Sequence, residues 1–393
     1  KSFVADGFVL DEKSQGGIEW IDADTLLVGR DFGEGTLTES QYPRTARIWK
    51  RGTPIEQAEE IWRGEEADVW SGAALLRDHT GEVHGTYAFR AVSFHETEYY
   101  WQHDGEWLRL ELPLKASPYG LIDGQLLFST DVDWEVGGQT FPADALVSVD
   151  LEQFKTDPNG APKTLVWAPQ DKQTKQGAAN TAESLYVSLL DNVRGRVLKF
   201  DHVDGEWISS EIELPDNSTL DVAAASEGSD EIMYSVTDFL TPSRLYYSDG
   251  SGAPEVIKTS PSNFDATGME VEQFEATSAD GTKIPYFLVK PKGMVMDGTN
   301  PTLLTGYGGF QVPRLPSYLG SIGKIWLERG GAYILGNMRG GGEFGEAWHQ
   351  AGMLGNKQNV FDDFIAAAEA LIEAGFTNPE RLAISGGSNG GLL

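Results

Sequence analysis

A strand-and-turn unit recurs through the first 260 residues at intervals near fifty, and no other feature narrows the fold as far. The unit is an aromatic or β-branched strand closed by a polar turn. It occurs at Arg47-Ile48-Trp49-Lys50-Arg51-Gly52, at Tyr99-Tyr100-Trp101-Gln102-His103-Asp104-Gly105 and at Ala145-Leu146-Val147-Ser148-Val149-Asp150. It returns at Arg196-Val197-Leu198-Lys199-Phe200-Asp201 and Arg244-Leu245-Tyr246-Tyr247-Ser248-Asp249-Gly250. The starts at 47, 99, 145, 196 and 244 lie 52, 46, 51 and 48 residues apart. A second series of apolar strands falls between them, at Thr25-Leu26-Leu27-Val28, Leu126-Leu127-Phe128, Leu185-Tyr186-Val187-Ser188-Leu189 and Ile232-Met233-Tyr234-Ser235-Val236. Several strands repeated every forty to fifty residues or so mark a β-propeller, whose blades are stable only when stacked on neighbours. A large irregular β-sandwich is the alternative, but it needs no even spacing. Five blades are legible, and the expectation is a partial ring.

Composition excludes some classes of function. The chain has 393 residues, 40% apolar and 11% aromatic, which suits a globular protein of two or more domains. Its formal charge of −30 argues against a nucleic-acid partner or an anionic membrane surface. Without cysteine there are no disulfides and no thiolate metal sites. No apolar run has the length of a membrane span. The start at Lys1 has no initiator Met, so the lack of a signal peptide says little about export. The alternating acids of Asp131-Val132-Asp133-Trp134-Glu135 lack the spacing of a calcium loop and read as a solvated turn. His103 and His202 sit beside Asp at strand ends, where solvent exposure explains them.

Near Ser260-Pro261-Ser262-Asn263 the pattern changes, which places a domain boundary between residues 262 and 263. Strands are expected over Val271 to Ala276, Ile284 to Val289, Thr302 to Tyr307 and Ala332 to Asn337, with a helix over Leu319 to Arg329. The clearest helix runs from Val360 to Ala374, with Phe361, Phe364, Ile365, Ala368, Leu371 and Ile372 on its apolar face and Gly375 as its stop. Alternating strands and helices predict a mainly parallel sheet with helices on both faces and functional residues at strand C-termini.

Gly386-Gly387-Ser388-Asn389-Gly390 follows the short apolar strand Arg381-Leu382-Ala383-Ile384-Ser385 and matches the Gly-x-Ser-x-Gly nucleophile elbow. In that device a strand turns sharply into a helix and lifts one Ser hydroxyl above the sheet edge, so the flanking positions must be small. A Gly-rich turn without catalytic role is the plainer reading. Partners of such a Ser follow it in the chain as Asp or Glu and then His. All six histidines precede Ser388, so the expectation is an incomplete catalytic set within these residues.

Several stretches together resemble the prolyl oligopeptidase family. They are Gly306-Tyr307-Gly308-Gly309-Phe310, Asn337-Met338-Arg339-Gly340-Gly341-Gly342-Glu343-Phe344-Gly345, Trp348-His349, Asn356-Lys357-Gln358-Asn359, Phe361-Asp362-Asp363-Phe364 and Gly386 to Gly391. The match is dense from Ala276 to Leu393 and architectural before that. The resemblance implies a seven-bladed propeller, with about five blades present here (residues 1–262), capping an α/β-hydrolase domain that begins at 263 and is cut after the nucleophile. It also implies a serine-type peptidase that cleaves short peptides after proline through an acyl-enzyme. Ser388 resembles the nucleophile, while the Tyr307 hydroxyl and the Asn389 backbone N–H resemble the oxyanion hole. Phe310 resembles a wall of the proline pocket. Arg339 and Glu343 are expected to brace the loop beneath the site, His349 is not the base, and the triad Asp and His lie beyond Leu393.

The resemblance implies no cofactor and no metal. Its partners are short proline-containing peptides, with no nucleic acid and no membrane, and the protein is expected to be a monomer in the cytoplasm or periplasm, the cytoplasm slightly favoured. Other readings remain open at this stage: preference for basic or acylated residues, an esterase, or an inactive fragment that binds peptides through its propeller.

Overall fold

The computed structural model describes residues 4, 6–10 and 13–393. Among them, residues 16–259 form five consecutive four-stranded antiparallel sheets. Within each, every strand pairs with its neighbour in sequence, the meander of a propeller blade. The recurring unit is the third strand of every blade: Thr45–Lys50, Thr97–His103, Leu146–Asp150, Arg194–Val203 and Arg244–Ser248. The second apolar series supplies the adjacent second strands, Thr25–Arg30, Gln125–Thr130, Ser184–Asp191 and Ile232–Thr237. In the second blade that place is taken by Val83–Ala91, whose half-buried residues hid it from the apolar pattern. The acids near Asp131 lead into a hairpin, Trp134–Val136 with Gln139–Phe141, inserted in the third blade.

The chain divides into two compact units, residues 1–168 and 169–393. The first unit holds three blades, stacked through two clusters. Leu27, Ala46 and Trp62 of the first blade meet Leu75 and Ala88 of the second. Leu76 and Trp101 of the second meet Leu126, Phe128 and Val147 of the third. In the second unit Tyr186 and Val197 of the fourth blade pack on Ile232, Tyr234 and Val236 of the fifth.

The second unit also holds a five-stranded sheet in the order Met269–Thr277, Lys283–Pro291, Ala332–Gly336, Thr302–Thr305, Leu382–Ser385. The sheet is mixed, which corrects the mainly parallel expectation: two pairings are antiparallel and two parallel. The tight turn at Gly281, with φ of 89°, forces the first two strands into a hairpin, because parallel neighbours need a long crossover. Strand Lys283–Pro291 is buried on both faces. Tyr286 and Leu288 face the helix Gln358–Glu373, while Phe287 and Val289 face Phe264, Leu319 and Leu327. Phe239 of the fifth blade stands on that second face, 5.4 Å from Phe287 between ring centroids. The expected helix over Leu319 to Arg329 is a short α-helix, Gly320–Ile325, followed by a 3₁₀ turn, Leu327–Arg329.

The long helix buries Val360, Asp363, Phe364, Ala367 and Leu371, whereas Ile365 is 51% exposed. The expected apolar face is therefore rotated by about one position. Asp363 occupies the seam because Arg339 neutralises it there, with Nη2 2.6 Å from Oδ1. Gly375 ends the helix at φ of 68°, a left-handed conformation that favours glycine. No helix among the described residues is long and apolar enough to cross a membrane.

Two substitutions test which faces are covered. Phe287→Ala should destabilise the protein by about 3–5 kcal/mol through the cavity it leaves. Ile365→Ala should change stability by less than about 0.5 kcal/mol. Shifts in urea denaturation midpoints measure both.

Candidate active site

Three strands of the mixed sheet run parallel and side by side, with Thr305 opposite both Leu335 and Ser385. Their C-terminal ends therefore open on one edge. From that edge emerge Tyr307 and its glycines, the Gly-rich loop after Asn337, and the turn that carries Ser388. This is the edge at which α/β folds gather their functional groups.

The turn at Ser388 is strained. Its φ is 53°, in the left-handed region that a non-glycine residue rarely visits, and the side chain is exposed. Glycines on either side make the bend possible. A Cβ on Gly386 would overlap the Gly390 carbonyl, and one on Gly390 would run into the carbonyl oxygen of Gly306. The Gly390 N–H closes the turn on the Gly387 carbonyl at 2.9 Å. From Ser388 the chain forms a 3₁₀ turn, Ser388–Leu392, in the place of the elbow's helix.

Asn389 joins the Ser388 turn to the Tyr307 loop. Its side-chain amide donates to the Tyr307 carbonyl at 2.5 Å. The Lys357 ammonium donates to the Gly308 carbonyl at 2.9 Å and to Asn389 Oδ1 at 3.2 Å. Tyr307 is half-buried, and the Arg314 guanidinium lies 5.8 Å from its ring centroid. Phe310 is 73% exposed at φ of 55°, so its ring projects from the loop and does not serve the core. The structure thus brings Tyr307, Asn389 and Ser388 onto adjacent, mutually bonded loops. These joined loops carry an exposed hydroxyl, a half-buried phenol and turn N–H groups, the kinds of group that attack a carbonyl and hold the charge that develops on its oxygen.

The Gly-rich loop braces this arrangement. Arg314 is clamped through its backbone: its N–H donates to Glu343 Oε1 at 2.9 Å, and its carbonyl accepts from the Asn337 amide at 2.6 Å. Glu343 and Asn337 are buried, and Glu343 Oε2 has no hydrogen-bond partner among the described residues. Burial pushes the Glu343 carboxyl up to about 7, against the opposing pull of the Arg314 N–H. Arg339 reaches Asp363, Asp280, Ser278 and Thr282, which pins the 278–282 hairpin and the long helix under the loop. Those carboxylates hold the guanidinium firmly protonated, the bond to Asp363 first. His349 Nδ1 lies 2.8 Å from the Gly340 carbonyl and 3.1 Å from the Gln311 N–H, contacts that demand opposite roles of one nitrogen. Either way it holds two loops together.

Sequence reasoning gave no role to Lys357, nor to the Asn337–Glu343 clamp on Arg314. Lys357 carried one signal: it is the N-cap of the long helix, where a cation opposes the helix dipole and a Ser, Thr, Asp or Asn is usual. Elsewhere, in the first unit, Asp78, Glu82 and His84 bring ligand-type atoms within 4.8 Å of one another. Their hydrogen bonds close a hairpin turn, Asp78 accepting from Thr80 and Glu82 and contacting His84 at 2.8 Å.

Comparison with known proteins agrees with this geometry. Residues 3–260 match the prolyl oligopeptidase N-terminal β-propeller domain, and residues 319–393 match the prolyl oligopeptidase family; Tyr307 lies between the two spans. An uncharacterised peptidase of Sinorhizobium fredii is 41% identical over 397 residues, covering 100% of this chain and 54% of the relative. A prolyl endopeptidase of Elizabethkingia miricola is 37% identical over 241 residues, 59% of this chain and 34% of the relative. The structure of a post-proline cleaving enzyme from Rickettsia typhi superposes with a TM-score of 0.76 at 29% identity, over 96% of this chain and 55% of that one. The chain spans about half the length of the relatives that it matches from end to end.

The raised Glu343 carboxyl predicts a pH-dependent stability. Below its ordinary value of 4.5 both folded and unfolded states hold the proton, and nothing is lost. As pH climbs toward about 7 the unfolded chain ionises first, so stability falls, by on the order of 2–4 kcal/mol in all. Glu343→Gln should flatten that slope, read from melting temperatures between pH 4.5 and 7.5.

Proposed function

The chain belongs to the prolyl oligopeptidase family, and from that premise we propose that the protein is a serine peptidase that hydrolyses short peptides on the carboxyl side of proline. One observation carries the reading: Ser388 stands exposed in a left-handed turn whose neighbour Asn389 is bonded to the Tyr307 loop. In this reading Ser388 Oγ attacks the carbonyl carbon of a prolyl residue while a His takes the hydroxyl proton. The Tyr307 hydroxyl and the Asn389 N–H stabilise the oxyanion. The His then passes the proton to the leaving amine, and water hydrolyses the acyl-enzyme by the same steps. The reading takes the His, and the Asp that orients it, from outside residues 1–393, which span about half the length of the relative from Sinorhizobium fredii.

Proline enters through Phe310. An exposed aromatic face suits a ring that has lost its N–H, and the Elizabethkingia and Rickettsia relatives are named for prolyl cleavage. The reading takes residues 1–262 as the propeller that admits only short peptides and residues 263–393 as the opening of the hydrolase domain. It takes the protein as a monomer of the cytoplasm or periplasm, the cytoplasm slightly favoured.

The full-length protein should be labelled at Ser388 by a fluorophosphonate and should lose turnover in Ser388→Ala. Tyr307→Phe should lower kcat by about 10²–10³-fold with KM little changed. Proline-linked fluorogenic peptides should be cleaved in preference to arginine-linked ones. Faster turnover of the arginine-linked reporters would assign a basic preference instead, and labelling that persists in Ser388→Ala would reject the nucleophile.

A further inference from the structure

Lys357 sits where its charge is locally unfavourable. It caps the N-terminus of a 16-residue helix whose dipole repels a cation, and partial burial lowers its proton affinity. What holds it is a pair of acceptors from two different loops. Nζ donates to the Gly308 carbonyl, one residue past Tyr307, and to the side-chain carbonyl of Asn389, one residue past Ser388. The Asn389 amide then returns to the Tyr307 carbonyl. Lysine, the Asn389 side chain and the Tyr307–Gly308 backbone thus form a closed ring of three hydrogen bonds.

The ring fixes more than a loop. With its oxygen held by the Lys357 ammonium and its NH₂ by the Tyr307 carbonyl, the Asn389 amide has one orientation, and both ends of it are fixed. The Asn389 backbone N–H and the Tyr307 side chain belong to the two residues that the amide joins. We propose that Lys357 is a positioning residue that locks the Tyr307 loop to the Ser388 turn through Asn389 and thereby sets the oxyanion hole. This rests on the peptidase reading above, because the hole has a purpose only if Ser388 acylates.

The test uses the full-length protein with Lys357→Met, Lys357→Arg, Asn389→Ala, the Lys357→Met/Asn389→Ala double variant and Ser388→Ala. Lys357→Met should lower kcat by about 10²-fold, the effect of an ångström-scale misplacement, with KM within about 2-fold of wild type. Lys357→Arg, which keeps a charged donor, should recover most of that loss. The double variant should be no slower than the slower single variant, because both changes break one ring. Should Lys357→Met fail to fold, Lys357→Gln takes its place with the same expectations. Wild-type kcat in the neutral variant, a loss confined to KM, or additive losses in the double variant would overturn the inference. If Ser388→Ala is inert while the Lys357 variants are unaffected, this inference alone falls. If Ser388→Ala turns over substrate, the peptidase reading falls with it.

Discussion

Parallel hydrogen bonding among Ala332–Gly336, Thr302–Thr305 and Leu382–Ser385 is the constraint on which the site depends. Because these strands run the same way and in register, three loops separated widely in sequence leave the sheet at one edge. Antiparallel neighbours would send alternate loops to opposite ends. Burial of both faces fixes the register of their antiparallel neighbour Lys283–Pro291, since a slip of one residue there would exchange the residues under the helix with those under the fifth blade.

Charges inside this domain act through pairing. The chain as a whole carries a net charge of −30, yet beneath the site a guanidinium is buried against two carboxylates and an ammonium sits on one backbone and one side-chain carbonyl. Removing either partner of the Arg339–Asp363 pair would leave a buried charge without its main compensation, typically a loss of about 3–5 kcal/mol. Such a pair contributes rigidity of placement more than net stability. It holds the Gly-rich loop, the helix start and the strand hairpin in one arrangement.

What could be read from sequence was whatever depends on close neighbours in the chain. The Ser388 elbow and the Tyr307 loop announced themselves because glycine spacing within a few residues dictates a turn. The blades did so because their third strands repeat. Residues whose role rests on distant partners stayed hidden: Lys357 reaches Gly308 across 49 residues, and Glu343 reaches Arg314 across 29. Asp363 misled for the same reason. A carboxylate in a helix reads as solvent-facing until Arg339, 24 residues earlier, is known to cover it. Likewise Val83–Ala91 lacked the apolar signature of its counterparts because its residues are mostly half-buried.

Gly390 lies against the Gly306 carbonyl with no room for a methyl group between them. Backbone packing therefore sets the closest approach of the serine turn to the tyrosine loop, and the side chains of Lys357 and Asn389 then hold the two together. Phe310, by contrast, projects outward with most of its surface uncovered. A side chain added at Gly390 would part the two loops, whereas a change at position 310 would alter only the exposed surface beside them.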